Sequence, residues 1–230
     1  MKPKRLSRGV FIALCGPDGS GKSTQTRLLG EWLAHLKYDV LVTKEPGGDA
    51  VCQDIRKILV HDARENRYNP PIADGMVELF LFCADRRQHV KSTIEPALAE
   101  CKIVVCDRYV PDTYAYQCCA RRALSRHEFK YIMDRAVGNV PVPDLIIWCD
   151  LDPSIGIKRK FLSQELDRFE AEDISFHMAV VKGFADFFTQ WPEYVHVRID
   201  AEQSKKKMAR TIKEHVTRLL DRIERSNPAV

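Results

Sequence analysis

The chain has 230 residues, 45% of them apolar and 30% charged, and its 36 basic against 32 acidic side chains leave a net charge of +4. That length suits a single domain with a proper core, and the charge excess is too small for a surface that coats nucleic acid. Composition also excludes a disordered tail, a collagen-like repeat and a small disulfide scaffold, and no apolar run approaches the ~18 residues of a membrane span.

In chain order, the basic stretch Met1–Arg8 leads into the short apolar run Val10–Cys15 and then a glycine loop. This lacks the long apolar region of a secretory signal, so a cytoplasmic protein is expected. Val10–Cys15, Val40–Thr43, Ile103–Cys106, Leu145–Cys149 and Val195–Ile199 are short β-branched runs, most of them without alternation. Such runs suit strands of a parallel sheet covered on both faces. Between them lie helical stripes. Leu28, Leu29, Trp32, Leu33 and Leu36 form the first; Met76, Phe80, Cys83, Val90 and Ile94 form the second, with Pro96 marking its end. Phe176, Val180, Phe184, Phe187 and Trp191 read as a core stripe, and Met208, Ile212, Val216, Leu219 and Ile223 close the chain. Strand alternating with helix throughout predicts one α/β domain over residues 1–230. The eight cysteines form no C-x-x-C pair and read as small buried hydrophobes in a reducing compartment.

Five of the eleven glycines stand in two short loops, Gly16, Gly19 and Gly21, then Gly47 and Gly48. Scarce glycine concentrated in this way predicts a close backbone approach at both loops. The first loop, Gly16-Pro17-Asp18-Gly19-Ser20-Gly21-Lys22-Ser23-Thr24, matches G-x-x-x-x-G-K-[ST] between an apolar strand and an amphipathic helix. Backbone N–H groups of Gly16, Gly19, Ser20 and Gly21 turn inward as an anion nest and the helix N-terminus adds its dipole. Lys22 is expected at the β- and γ-phosphates of ATP, with Ser23 on Mg²⁺ and Thr24 beside it. The third strand runs into Asp107-Arg108-Tyr109. An acid at that tip is where a Walker-B carboxylate holds magnesium, and an arginine beside it has the planar fork to span two phosphorylated ligands.

Further segments then resemble the thymidylate kinases across nearly the whole chain. Lys44-Glu45-Pro46-Gly47-Gly48 resembles the family's TREPGG segment, Leu81 through His89 its LFAADRAQH helix, and Asp107-Arg108-Tyr109 with Ala115-Tyr116-Gln117 its DRY…AYQ. Pro143-Asp144-Leu145 through Asp152 resembles PDLT…LDV, and Asp167-Arg168-Phe169-Glu170 the DRxE that closes a lid, expected at about 153–170. The resemblance implies a five-stranded parallel sheet in the order 2-3-1-4-5, a homodimer, and transfer of the ATP γ-phosphoryl group to the 5′-phosphate of dTMP, giving dTDP on the way to dTTP. It also implies that Phe82 stacks on thymine, that Arg86 bonds to the base edge, that Asp18 meets the deoxyribose 3′-hydroxyl and that Tyr116 crowds C2′. Arg56 is a candidate for the acceptor phosphate, and Glu45, Pro46, Thr113 and Gln117 complete the acceptor site.

The chain departs from the family in three places. Gly19 stands where some members carry an arginine, and the lid has Phe161 and Ser163 where compensating arginines are expected, leaving Arg159, Lys160 and Arg168 to neutralise the transferred group. Asp112 replaces the usual serine, either pairing with Arg86 or Arg87 or accepting from an amine on another base. Val181 replaces a common basic residue. Open alternatives are a monophosphate kinase for another deoxynucleotide, a deoxynucleoside kinase with Glu45 as base, and a catalytically weak nucleotide-binding protein. Cys15, Cys106 and Cys149 end neighbouring strands, so their thiols are expected together beneath the phosphate site.

Overall fold

The strands β1 (Val10–Cys15), β2 (Val40–Lys44), β3 (Ile103–Asp107), β4 (Leu145–Asp150) and β5 (His196–Asp200) form one parallel sheet in the order β2-β3-β1-β4-β5. The computed structural model describes residues 4, 6–60, 72, 74–138, 140–161 and 167–226, with the side chains of residues 136, 137, 160, 161 and 226 outside that description. Val10 of β1 faces Ile103 and Ile12 faces Leu145, so β1 lies between two other strands and is wholly buried. Successive side chains point to opposite faces. Phe11, Ala13 and Cys15 enter one core layer; Val10, Ile12 and Leu14 enter the other. This explains why β1, β3 and β4 lack alternation, while the edge strands β2 and β5 are half-exposed.

The helices are α1 (Lys22–His35), α2 (Ala50–Leu59), α3 (Gly75–His89), α4 (Glu95–Ala99), α5 (Val110–Thr113), α6 (Arg126–Ile132), α7 (Pro153–Phe161), α8 (Ile174–Gln190) and α9 (Lys205–Ser226). α1 and α9 cover one face, where Leu29, Leu33, Met208, Ile212, Val216 and Leu220 pack on Ile12 and Leu14. α3 and α8 cover the other through Leu79, Cys83, Phe184 and Phe187. The α8 stripe is core throughout, as its spacing predicts.

Three expectations are corrected. The buried stripe of α3 runs through Leu79, Cys83 and Arg86, and Phe80 is 54% exposed, because this apolar-rich segment admits more than one phase. Pro96 does not end that helical stretch: a π-helical turn, Val90–Ile94, carries the chain through Pro96, at the start of α4, to Ala99. Cys15 and Cys106 share one core layer, but Cys149 belongs to the other. No helix among the described residues is long and apolar enough to cross a membrane.

Candidate active site

The C-terminal ends of β1, β2 and β3 open onto one crevice at the carboxyl edge of the sheet. The loop after β1 turns directly into α1, whose start is capped by Gly21 with no side-chain hydrogen bond. Its first N–H groups therefore have no side-chain competitor for an anion. Lys22 is buried and donates Nζ to Pro17 O at 2.7 Å. Burial, then the nearby Arg108, holds its pKa below the usual lysine range. Gly19, Gly21, Ser23 and Thr24 line the crevice; Gly16 sits at the strand exit and Ser20 is buried beneath the loop.

At the end of β3, Arg108 adopts a left-handed backbone (φ 72°) and donates its N–H to Leu14 O at 2.8 Å. A left-handed non-glycine residue costs roughly 1–2 kcal/mol, and here it aims the guanidinium across the crevice. One nitrogen pairs with Asp18 in the phosphate loop, and Nη1 donates to Asp112 Oδ1 at 2.5 Å. The Tyr116 hydroxyl donates to the other Asp18 oxygen at 2.6 Å, beneath Arg108 at 5.3 Å from the ring centroid.

Asp112 thus pairs with neither Arg86 nor Arg87. It lies four residues after Arg108, on the helix that β3 feeds, and turns back onto it. Burial raises the Asp112 carboxyl to about 6 despite the opposing pull of Arg108 and Lys22.

Arg86 lines the cavity and is anchored by Glu45 and Thr113. It donates Nε to Glu45 Oε2 at 2.8 Å and Nη1 to Thr113 Oγ1 at 2.8 Å, and both members of the ion pair are 2% exposed. Burial opposes the charge on Arg86, but Glu45 more than offsets it, and the pKa rises. Glu45 Oε1 also lies 3.1 Å from His89 Nδ1. Arg56 donates to Pro46 O at 3.1 Å, and burial and Arg108 lower its pKa. Phe82, Thr113, Tyr116 and Gln117 complete that end, and Gln117 donates to Glu78 at 2.7 Å.

The second glycine pair, expected as the turn beside the acceptor phosphate, is a turn packed against α3 and Arg56. The Gly47 N–H donates to Asp85 Oδ1 at 2.9 Å, and a Cβ on Gly48 would stand 2.1 Å from the His89 ring. Neither glycine lines the cavity. Their packing instead carries Lys44, Glu45 and Pro46 to its wall.

One cavity of about 560 Å³ joins these groups, with Asp107 and Arg108 on its wall. From α7, Arg159 donates Nη1 to Gly19 O and Ala201 O, both at 3.1 Å, and lines the same space. The Lys160 side chain and lid residues 162–166, Ser163 included, lie outside the described residues. Arg168 pairs with Glu78 at 2.7 Å and donates to Leu59 O at 2.5 Å, and it does not line the cavity. Wall residues without an assigned role in the sequence reading are Lys44, Val60, Asp167, Phe169 and Glu170. The DRxE signal pointed to three of these; nothing local marks Val60.

Known proteins resemble this chain in sequence and in fold. The sequence model of the family described as Thymidylate kinase matches residues 14–212. The chain belongs to the thymidylate kinase family. It is 39% identical over 207 residues to the thymidylate kinase of Nostoc sp., covering 90% of this chain and 94% of that one. It is 40% identical over 199 residues to that of Lactobacillus helveticus, covering 85% and 90%. The crystal structure of thymidylate kinase from Ehrlichia chaffeensis superposes with a TM-score of 0.71 at 26% identity, covering 91% of this chain and 99% of that one.

Proposed function

We propose that this member of the thymidylate kinase family transfers the γ-phosphoryl group of ATP to the 5′-phosphate of dTMP, giving dTDP and ADP. One observation carries the reading: a single cavity holds both the phosphate loop and the Phe82–Arg86–Gln117 end, with Arg108 on its wall bonded to Asp18 of the loop and to Asp112. The acceptor is already anionic near neutral pH, so no strong base is required, and the task is to bring two polyanions together. Lys22 at the donor phosphates, Arg108 between donor and acceptor, and Arg159 beside Gly19 supply the charge. Arg56 faces the acceptor phosphate, Arg86 and Phe82 the base, and Asp18 and Tyr116 the sugar. Pre-bonding of Arg108 by two carboxylates limits its reorganisation on binding.

The residues present fit a magnesium ion. Asp107 Oδ1 is buried with no hydrogen-bond partner among the described residues, and the exposed Ser23 hydroxyl lines the same cavity. Hard oxygen donors of this kind, one or two together with phosphate, are what Mg²⁺ takes. Asp107 and Ser23 would hold it, and bound there it would neutralise charge on the phosphate oxygens. We further propose a cytoplasmic homodimer, a reading that the exposed Phe80 and Val77 on α3 support.

Glu45 is no free base for a 5′-hydroxyl, because both its oxygens face buried cations or hydrogen-bonding nitrogen. A side-by-side assay of dTMP, dUMP, 5-substituted dUMP, dCMP and dGMP with ATP tests the proposal. The highest kcat/KM is expected for dTMP; much weaker turnover of dTMP than of another monophosphate would overturn it.

A further inference from the structure

Behind the acceptor end lies a charged cluster that the reaction scheme leaves without a role. Glu78, in the first turn of α3, is 2% exposed. Its Oε1 accepts from Gln117 Nε2 at 2.7 Å, while its Oε2 faces Arg168 Nη1 at 2.7 Å and Arg121 Nε at 3.4 Å. A desolvated carboxylate is costly, and apolar residues of similar volume would often be as stable, so its contribution lies in the geometry it imposes. That geometry reaches the cavity by two routes. Gln117 lines the wall directly. The Arg168 guanidinium, steadied by Leu59 O, stacks 4.2 Å from the Phe169 ring centroid. Phe169 in turn forms a cavity wall with Phe82 at 6.0 Å and Tyr116 at 6.1 Å, centroid to centroid.

We infer that Glu78 is a positioning residue for acceptor binding, holding Gln117 with one oxygen and, through Arg168, the aromatic wall formed by Phe169 with the other. This rests on the proposed function, and Glu78 itself touches no part of the cavity. Its effect falls on the acceptor end, because Lys22, Ser23 and Arg159 on the donor side share no partner with it.

The test measures KM for dTMP and for ATP, kcat and melting temperature in E78Q, R168M, R168K and E78Q/R168M. In E78Q the KM for dTMP is expected to rise about tenfold, a loss typical of one charge-assisted contact, with the KM for ATP within twofold. R168M should match it, R168K should recover part of the loss, and the double variant should be no worse than either single change. An unchanged KM for dTMP would overturn the assignment. So would a parallel rise of both KM values with a lowered melting temperature, the mark of a scaffold role alone. Should E78Q fail to fold, R168M and the double variant, which buries no unpaired charge, decide on the same criteria. A wild-type protein that leaves dTMP untouched refutes the functional reading instead, and the KM comparison then runs with the monophosphate it does phosphorylate.

Discussion

Gly19 in the phosphate loop and Gly156 in α7 meet backbone to backbone: a Cβ on Gly19 would lie 2.6 Å from Gly156 O, and one on Gly156 would lie 2.4 Å from Asp18 O. Gly19 also has φ +75°, which side chains rarely adopt. An arginine at position 19 therefore has no room, and the contact instead brings Arg159 of α7 to the loop. The sign of the effect of G156A separates two outcomes. Helix propensity alone would stabilise the protein by about 1 kcal/mol; the contact predicts a loss of about 1–3 kcal/mol and a raised KM for ATP. Urea unfolding and a kinetic assay of G156A read both, and G19R is expected to lose at least about tenfold in kcat/KM rather than gain.

Asp112 makes the stability pH-dependent. Burial raises its pKa from 3.8 to about 6, so the native state binds this proton more tightly than the unfolded chain does. The associated stability, roughly 3 kcal/mol, is fully present below pH 3.8 and is lost as pH rises through about 6. In D112N an amide oxygen still faces Arg108 but does not titrate. Between pH 4 and pH 7.5 the wild type should lose more stability than D112N, and the difference in urea midpoints measures it. Asp85, raised by burial and Glu45 to about 7, is present in both proteins and cancels. Equal midpoint changes in the two would contradict the assignment.

The buried Glu45–Arg86 pair predicts a different pattern. Removing one partner leaves a desolvated charge, so E45A should cost about 3–5 kcal/mol and raise the KM for dTMP as Arg86 loosens. Were Glu45 a base instead, the wild type would phosphorylate thymidine and E45A would lose kcat on it. Thymidine is expected to give no product, which a single radiometric assay checks.

Continuous motifs were legible in the sequence because their chemistry is local. The phosphate loop and Asp107–Arg108 lie on the cavity as their residue types predict. What failed depends on partners distant in the chain. Asp112 could be matched with Arg86 only while the claim of Glu45 on Arg86, from 41 residues away, was out of sight. Gly47 and Gly48 mark a close backbone approach, but that Asp85 and His89 from α3 make it is decided only by packing. Glu78 carries no signal at all, since Gln117, Arg121 and Arg168 reach it from separate segments. The misphased stripe of α3 has a simpler cause: in GMVELFLFCADRRQH several faces are apolar enough to be buried, and only packing chooses Leu79 over Phe80.

Among the described lid cations, Arg159 is the one that lines the cavity where the transferred group would sit. Arg168 is committed to Glu78 and Leu59 O, whereas Arg159 lines the cavity and is steadied there by Gly19 O and Ala201 O. Those two carbonyls satisfy part of its fork and leave the remaining donors for phosphate oxygens. R159A should therefore lower kcat by about 10–100-fold, with the KM for dTMP within twofold, because the charge matters most where it develops during transfer. R159K should recover little, since an ammonium cannot hold both carbonyls and a phosphate in one plane. R168M should move the KM for dTMP and leave kcat nearly intact, the reverse pattern. A kcat within twofold of wild type in R159A would transfer the role to Lys160, and the same result in K160A and R168A would remove it from the lid altogether.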